Sequence, residues 1–410
     1  MAVMRDKMKR SLRRALLLCL CIALLAGSAL ANEIVDISTD GCDQMHDECT
    51  LPDGRIIFAG SMGMVGNYVD SRARLVCMNP DMTVSWEYVD PEEGCCSFRS
   101  VVVLKDGTIG AVLDNSPYQN PVGKKLKFFT QDGQPTGKEI VLSDAESMSL
   151  GASASCILLL SIPEGRESYY EFIDWDGNVI LSYENKQSPM SGFDMMIEEE
   201  DGLVFAGAER VPDNHARILK MDLQGKVLWE TVLPILQEGA EKSQLMDLVQ
   251  SDDGGYLGLL HECGPYDQHG VTKVSSYSIV KFNANGRLLW RNSTAFDGRK
   301  DMWAGILTKY NGKLVTEIEQ LHTVNYKATE PHVFLWMDEE GNSLGTTELN
   351  LKQEELPRLS GAKKLDEIGG YFLIPTKDGL WGMNLFNEDC RDHMKAQDSM
   401  DEILVKIPEL

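Results

Sequence analysis

The sequence predicts an all-β fold, a single seven-bladed β-propeller, on the basis of three observations. Two kinds of turn follow each other in a fixed order along the chain, and copies of each recur about every 44 to 61 residues. The segments between the turns are short and apolar at both odd and even positions, which indicates sheets buried on both faces. Residues 32–410 contain no long amphipathic helical pattern except in Arg391–Asp401. Rings of six or eight blades are the alternatives.

The first kind of turn joins the innermost strand of a blade to the next strand. It consists of residues that accept a positive φ at small steric cost, as tight hairpins require. Its copies are Asp53-Gly54, Asp106-Gly107, Asp201-Gly202, Asp253-Gly254, Asn311-Gly312 and Gly369-Gly370, with a degraded copy near Leu150-Gly151.

The second kind of turn precedes the outermost strand. Its copies are Asn79-Pro80-Asp81, Asp132-Gly133, Asp176-Gly177, Gln224-Gly225, Asn285-Gly286 and Glu340-Gly341. The turns place the seven blades at roughly 43–92, 93–143, 144–190, 191–240, 241–298, 299–355 and 356 to the end. The last blade lacks a clear outer strand, and an unpaired edge promotes association. Ile34–Ile37 and Ile403–Ile407 are the two candidates to complete it.

Residues 1–31 have the pattern of a cleaved secretory signal peptide. Six basic residues precede and flank the apolar core Ala15–Leu25, and Ala29-Leu30-Ala31 offers a small-x-small cleavage site. The apolar run is shorter than the about 20 residues that a membrane span needs. The sequence therefore predicts a secreted or envelope-associated propeller over residues 32–410, and a retained N-terminal anchor is the alternative.

The chain is acidic, with 63 Asp and Glu against 39 Lys and Arg and a formal net charge of −24 at pH 7. A field of that sign repels nucleic acid and anionic lipid headgroups. It favours solubility, cationic ligands or calcium, and a solvated acidic surface with no binding role is the other interpretation. The expected partner is an extracellular or envelope protein, a peptide or a glycan, bound by a monomer. A calcium ion is an open alternative as a ligand, but no metal-binding spacing of histidines or cysteines occurs.

Seven of the eight cysteines outside the signal peptide fall into two groups. Cys77 and Cys156 lie in apolar, strand-like segments and are expected to be buried free thiols. The better candidates for disulfides, which an exported chain permits, are the cysteines expected in loops: Cys42, Cys49, Cys95, Cys96 and Cys390.

Two segments carry a resemblance to known propellers. Val280–Trp290 resembles the "DGGY … vKlDxnG … W" repeat of secreted bacterial propellers, and Lys220–Trp229 is similar to the same unit and to the tryptophan-docking repeat of quinoprotein (PQQ-like) propellers, within the wider WD40-like superfamily. The resemblance implies the propeller fold, with Trp86, Trp229 and Trp290 wedged between blades.

The same resemblance implies one enzymatic alternative. Several quinoprotein dehydrogenases hold PQQ against two adjacent cysteines, and Cys95-Cys96 is such a pair. Propellers host many unrelated functions, however, and only three repeats here keep the tryptophan. The first hypothesis is therefore a binding or interaction module with no evident catalytic motif and no cofactor. The alternative is a propeller enzyme, either a quinoprotein dehydrogenase or a carbohydrate-active enzyme.

The candidate binding residues lie near the starts of the innermost strands. Ligands of propellers usually meet the loops there, because loops carry variable chemistry on a rigid frame. The candidates are Arg99, Asp194, Asp247 and Trp303. The alternative is that these residues and the methionines beside them (Met195, Met196, Met246 and Met302) fill the channel as packing.

Overall fold

The computed structural model describes residues 32–39, 42–64, 71–92, 96–115, 123–142, 147–161, 169–184, 193–208, 215–265, 274–299, 302–320, 331–356, 366–367, 371–387 and 400–410. In these residues, thirty strands form seven small antiparallel sheets, which are the blades of one ring. The prediction of a seven-bladed β-propeller is confirmed. The proposed signal peptide, Cys95, Cys390 and residues 391–399 lie outside the described residues. No helix within the described part has the length and apolar character needed to cross a bilayer.

Four strands, ordered from the channel outwards, form each of the first five blades. Blade 1 consists of β2 (Cys42–Thr50), β3 (Ile56–Met64), β4 (Arg72–Met78) and β5 (Val84–Val89). Blade 2 consists of β6 (Cys96–Val103), β7 (Ile109–Asn115), β8 (Gly123–Phe129) and β9 (Pro135–Val141). Blade 3 consists of β10 (Ser147–Ala152), β11 (Ile157–Ser161), β12 (Tyr169–Ile173) and β13 (Val179–Glu184).

The next two blades repeat this order. Blade 4 consists of β14 (Phe193–Glu199), β15 (Gly202–Ala208), β16 (Ala216–Met221) and β17 (Val227–Val232). Blade 5 consists of β18 (Lys242–Gln250), β19 (Tyr256–Cys263), β20 (Ser275–Phe282) and β21 (Leu288–Asn292). A 3-10 turn at Thr294–Phe296 leads to blade 6.

The innermost strand of the last two blades is divided. In blade 6, β22 (Met302–Trp303) and β23 (Thr308–Tyr310) both pair with β24 (Lys313–Gln320), followed by β25 (His332–Met337) and β26 (Ser343–Leu349). A 3-10 turn at Gln353–Glu355 follows. In blade 7, β27 (Asp366–Glu367) and β28 (Phe372–Thr376) pair with β29 (Gly379–Asn387), which pairs with β30 (Met400–Lys406).

Both terminal segments, and not only one, contribute a strand to the last blade and so close the ring. The carboxy-terminal β30 is the third strand of blade 7, and the amino-terminal β1 (Ile34–Asp36) is its outermost strand, with Val35 opposite Leu404. The two candidate segments are therefore both used, because β29 alone would leave a free edge. Lys406 and Glu33 add an ion pair of 2.9 Å beside this seam.

Each blade buries the two faces of its middle strands against its neighbours. Every residue of β16 and of β19 is buried, and β15 is buried from Gly202 to Gly207. Both the odd and the even positions of these strands are apolar, because one face of the strand packs on the preceding blade and the other face packs on the following blade. The outermost strands differ: in β9 six of seven residues are exposed.

The tight turns lie at one end of the ring, here called the turn end. The glycine takes a positive φ in most of them, for example Gly54 (90°) and Gly254 (77°) in the first kind and Gly286 (72°) in the second. In the second turn of blade 1, Met82 holds the equivalent conformation at φ 59°. At the opposite, loop end, second strands connect to third strands and each blade connects to the next.

Two of the three tryptophans wedge between blades as the sequence indicates. A Cβ at Gly133 would overlap the ring of Trp86, and one at Gly286 would overlap Trp229, so each indole lies on the turn glycine of the next blade. The Trp86 Nε1–H also donates to the Gln131 carbonyl oxygen at 3.0 Å. Trp290 packs on the cluster between blades 5 and 6. All three remain partly exposed, so their burial is less complete than expected.

The cysteines follow the prediction in part. Cys77 and Cys156 are buried free thiols, as expected. Cys42, Cys49 and Cys96 are not in loops but in the innermost strands β2 and β6, and Cys49 is a free thiol. The residues beside these cysteines are polar because one edge of an innermost strand faces the channel. Polar neighbours are also typical of loops, and for this reason the sequence predicted loops here.

Candidate functional site

The innermost strands of blades 1 to 5 share a β-bulge. In each, the pairing with the second strand shifts by one residue, which leaves one residue without an opposite partner. A bulge re-aims a side chain and is common beside functional sites. The residues at these five bulges are His46, Arg99, Leu150, Asp194 and Met246.

A basic cluster lies where the bulges of blades 1 and 2 meet. The Arg99 guanidinium donates from Nη1 to Nδ1 of His46 at 3.2 Å, and its Nε lies 3.7 Å from Oδ2 of Asp114. Asp114 in turn lies 2.9 Å from Nζ of Lys124, its register partner in β8. The Arg99 side chain is 45% exposed and that of Lys124 is 2% exposed. A fixed guanidinium is therefore presented to solvent with a buried ammonium behind it.

At pH 7 this cluster has a net charge of +1. Burial, and then the charge of Arg99, lower the pKa of His46 to about 4, so the imidazole is neutral at pH 7. Since arginine only donates, Nδ1 of His46 accepts and its proton is on Nε2. Burial also lowers the pKa of Lys124, while Asp114 opposes the shift. Two cations thus share one carboxylate in a chain that is otherwise strongly acidic.

Asp247 connects two innermost strands. Its Oδ2 accepts the backbone N–H of Leu307 in blade 6 at 2.7 Å, and its Oδ1 accepts that of Leu248 at 2.7 Å. Asp47 does the same between blades 1 and 2, accepting from Val101 at 2.9 Å. These carboxylates satisfy N–H groups on strand edges that would otherwise lack a partner. Burial raises the pKa of both to about 6.

Glu48 adds a third carboxyl group inside the ring. Burial raises its pKa to about 8, and the charges of Asp47 and Asp247 contribute further. Since Asp247 belongs to blade 5 and Glu48 to blade 1, carboxyl groups from distant blades influence each other through the channel. Glu402 of blade 7 accepts the backbone N–H of Met45, and burial raises its pKa to about 8 as well.

Trp303 lies on the boundary between blades 5 and 6. Its ring is 38% exposed and meets the His261 ring edge-on, with centroids 6.0 Å apart. His261 is buried, stacks on Tyr277 at 4.4 Å and shares a hydrogen bond of 2.9 Å with Ser275. Burial lowers the pKa of His261 to about 4. The pair offers an aromatic surface supported by a neutral imidazole.

The four sequence-predicted site residues do not share one contact network in the described structure. Arg99 belongs to the boundary of blades 1 and 2, whereas Asp247 and Trp303 both border blades 5 and 6. Asp194 occupies the bulge of blade 4, and its side chain is outside the described residues. Of the neighbouring methionines, Met302 is buried, and Met195, Met196 and Met246 pack against the interblade cores.

Sequence reasoning missed His46, Asp114 and Lys124. The sequence does contain a signal for His46. Seven residues before the first-turn aspartate, four blades carry the residue that lies at the bulge: His46, Arg99, Asp194 and Met246. Aligning the blades on that aspartate would have paired His46 with Arg99. The Asp114–Lys124 pair had no comparable signal, because their opposition depends on the register of two strands joined by a long connection.

The described residues do not form a recognisable catalytic or metal centre. No group of three or more His, Cys, Asp and Glu side chains there could hold a metal ion. Burial raises the pKa of Cys49, Cys77 and Cys156, which makes these thiols poor nucleophiles. Cys96 is buried in β6 and Cys95 is outside the described residues, so the adjacent-cysteine hypothesis for PQQ stays a prediction.

Comparison with known proteins identifies similar folds only. No family model matches the chain, and no curated protein matches it in sequence. Among solved structures, a protein of unknown function from Dyadobacter fermentans matches at 14% identity with a TM-score of 0.43, over 92% of this chain and 98% of that chain. A protein of unknown function from Bacteroides caccae matches at 15% identity with a TM-score of 0.36, over 71% and 93%. A prolyl endopeptidase matches at 11% identity with a TM-score of 0.47, over 90% of this chain but 51% of its own length.

Proposed function

We propose that the protein is an exported binding module whose loop end recognises an acidic group on a peptide, a glycan or an envelope protein. The observation that carries the proposal is the half-exposed guanidinium of Arg99, held by His46 and Asp114 at the channel edge. Arginine held in this way binds carboxylates strongly, because its planar fork matches two oxygens at once. Trp303 offers an aromatic surface at the same end for an apolar or sugar face.

The local excess of positive charge around Arg99, and not the net charge of the molecule, supports an acidic ligand. The net charge of −24 would repel anions in general, so a ligand with a carboxylate needs a local cationic site. The Arg99–Lys124 cluster provides it, and the neutral His46 leaves Arg99 as its solvent-facing charge. Because the contacts are ionic and partly exposed, binding should weaken as salt is added.

Arg99→Gln should weaken binding of an acidic ligand by about ten- to a hundredfold, the loss expected for a hydrogen bond to a charged group. The measurement uses a library of peptides and glycans in which each carboxylate-bearing member is paired with its amide. Wild-type protein should bind the acidic member of a pair and not the amide.

The matched control is Arg287→Gln, which removes an exposed arginine from the turn end of blade 5. This variant should bind like wild type. Equal binding of acid and amide, or an Arg99→Gln variant that retains full affinity, would show that the site lies elsewhere.

A further inference from the structure

A cleft of about 510 Å³ opens between blades 2 and 3 at the turn end. Its apolar walls are Leu104, Phe128, Ala154 and Trp175, and Lys138 and Asp176 stand at its rim. The rings of Phe128 and Trp175 meet edge-on with centroids 6.0 Å apart. Trp175 is anchored by its Nε1–H, which donates to the Ser153 carbonyl oxygen at 2.8 Å.

The cleft exists because blade 2 has no aromatic wedge: the contact that Trp86 makes with Gly133 of blade 2 is made with Gly177 of blade 3 by the smaller side chain of Ile140. In blade 1, Trp86 stands opposite Cys77 just after a bulge, and its indole fills the space toward blade 2. In blade 2 the pairs Lys127–Glu139 and Phe129–Pro135 place Lys138 in the equivalent register, opposite Phe128. A slender, flexible side chain thus replaces an indole.

The equivalent place in other blades is filled by an apolar side chain. Trp229 fills it in blade 4. In blade 6 the register position is Gly345, opposite Trp336, and Leu410 of the chain's last segment lies against it: a Cβ at Gly345 would be 3.0 Å from Leu410 Cδ2. A side chain that comes from outside the blade can therefore occupy this kind of place.

We propose that the cleft between blades 2 and 3 is a docking site for an indole-sized aromatic side chain of a protein partner. The aromatic walls suit edge-to-face packing. Lys138 Nζ already lies 4.4 Å from the Phe128 ring centroid, so a second ring would sandwich the cation. The ion pair of Lys138 with Asp176 (2.8 Å) is exposed, and such pairs are worth little, so the ammonium can leave Asp176 and stay between the two rings.

The test measures the binding of an indole probe before and after a larger side chain is introduced into the cleft by substitution. The probe is N-acetyl-L-tryptophanamide, observed by saturation-transfer NMR, with N-acetyl-L-alaninamide as the small-side-chain comparison. Wild-type protein should transfer saturation to the indole protons and not to the alanine probe. Lys138→Trp supplies the missing wedge and should reduce the indole signal by about tenfold, the loss expected when about 1.4 kcal/mol of contact is removed.

Two further variants make the result decisive. Ala154→Phe fills the cleft from blade 3 and should abolish the signal independently of how Lys138→Trp folds. Lys226→Trp makes the same substitution at an exposed position of the blade 4 turn and should leave the signal unchanged. The proposal is overturned if wild type gives no indole signal, or if Lys138→Trp and Ala154→Phe bind the probe as wild type does. None of these outcomes depends on Arg99.

Discussion

Trp229→Ala should lower the free energy of unfolding by about 2–4 kcal/mol, toward the lower part of the range for large aromatic-to-alanine changes because the ring is partly exposed. The indole lies on Gly286 of the next blade and packs with Tyr256 and its surrounding cluster. Its removal opens a gap at the boundary of blades 4 and 5. Chemical denaturation of the variant and of wild type measures the difference.

The reciprocal substitution Gly286→Ala should lower the free energy of unfolding for two separable reasons. Gly286 has a φ of 72°, which costs a residue with a Cβ about 1–2 kcal/mol, and the new Cβ would overlap the Trp229 ring. Gly254→Ala is the matched control, because its φ of 77° is similar and nothing lies within 4 Å of the added Cβ. The excess loss in Gly286→Ala over Gly254→Ala should be about 1–3 kcal/mol, the cost of overpacking.

The double variant identifies the wedge as the cause. With Trp229 already replaced by alanine, Gly286→Ala should cost only what Gly254→Ala costs, because the clash is gone and only the backbone strain remains. The two changes would then be strongly non-additive, as expected for residues in contact. Additive losses would show that Trp229 does not rest on this glycine and that the two blades are held together by other contacts.

The fold could be predicted because its signals are local. An Asp-Gly or Asn-Gly turn needs only its own residues, so Asp253-Gly254 and Asn285-Gly286 mark the hairpins of blade 5 without knowledge of the rest. Burial of both faces likewise shows in each strand separately, as in β16. Repetition of these signals then indicates the number of blades. Two degenerate copies of the first turn were misplaced, because Leu150-Gly151 lies within β10 and the inner turn of blade 7 follows Thr376 and not Gly369-Gly370.

The site could be predicted only in part because its contacts are non-local. Arg99 and His46 are 53 residues apart and meet because two bulges coincide between blades. The sequence indicated Asp247 as a candidate ligand residue, which stays a prediction, but it gave no sign that this carboxylate accepts the N–H of Leu307, 60 residues away. Hydrogen bonds of this kind follow from how blades pack, which no motif in the strand encodes.

The protein should become more stable as the pH falls from 8 to 6.5, by about 2–4 kcal/mol in total for two groups at up to 1.36 kcal/mol per pH unit each. Burial raises the pKa of both Glu48 and Glu402 from the ordinary 4.5 to about 8. In this window the folded state holds these two protons and the unfolded state does not. Stability is therefore present at lower pH and is lost as the pH rises toward 8.

In this window the two glutamates contribute more to the pH dependence than the other titrating groups. From about pH 7 downward the neutral His46 and His261, whose pKa values are lowered to about 4, partly oppose the trend because the unfolded chain takes up protons that they do not. Over the same range Asp47 and Asp247 begin to act in the same direction as the glutamates. Between pH 6.5 and 8, carboxylates and lysines with ordinary pKa values do not titrate.

Glu48→Gln should be more stable than wild type at pH 8 and should lose about half of the pH dependence, since it removes one of two charges that are costly to bury. Thermal unfolding at intervals between pH 6.5 and 8 measures this, and Glu200→Gln, at an exposed position beside the blade 4 turn, is the control with an unchanged profile. A melting temperature that is flat or rises toward pH 8 would mean that Glu48 and Glu402 are ionised in the folded ring. The N–H donors inside the ring, such as that of Met45 to Glu402, would then outweigh the cost of burying these charges.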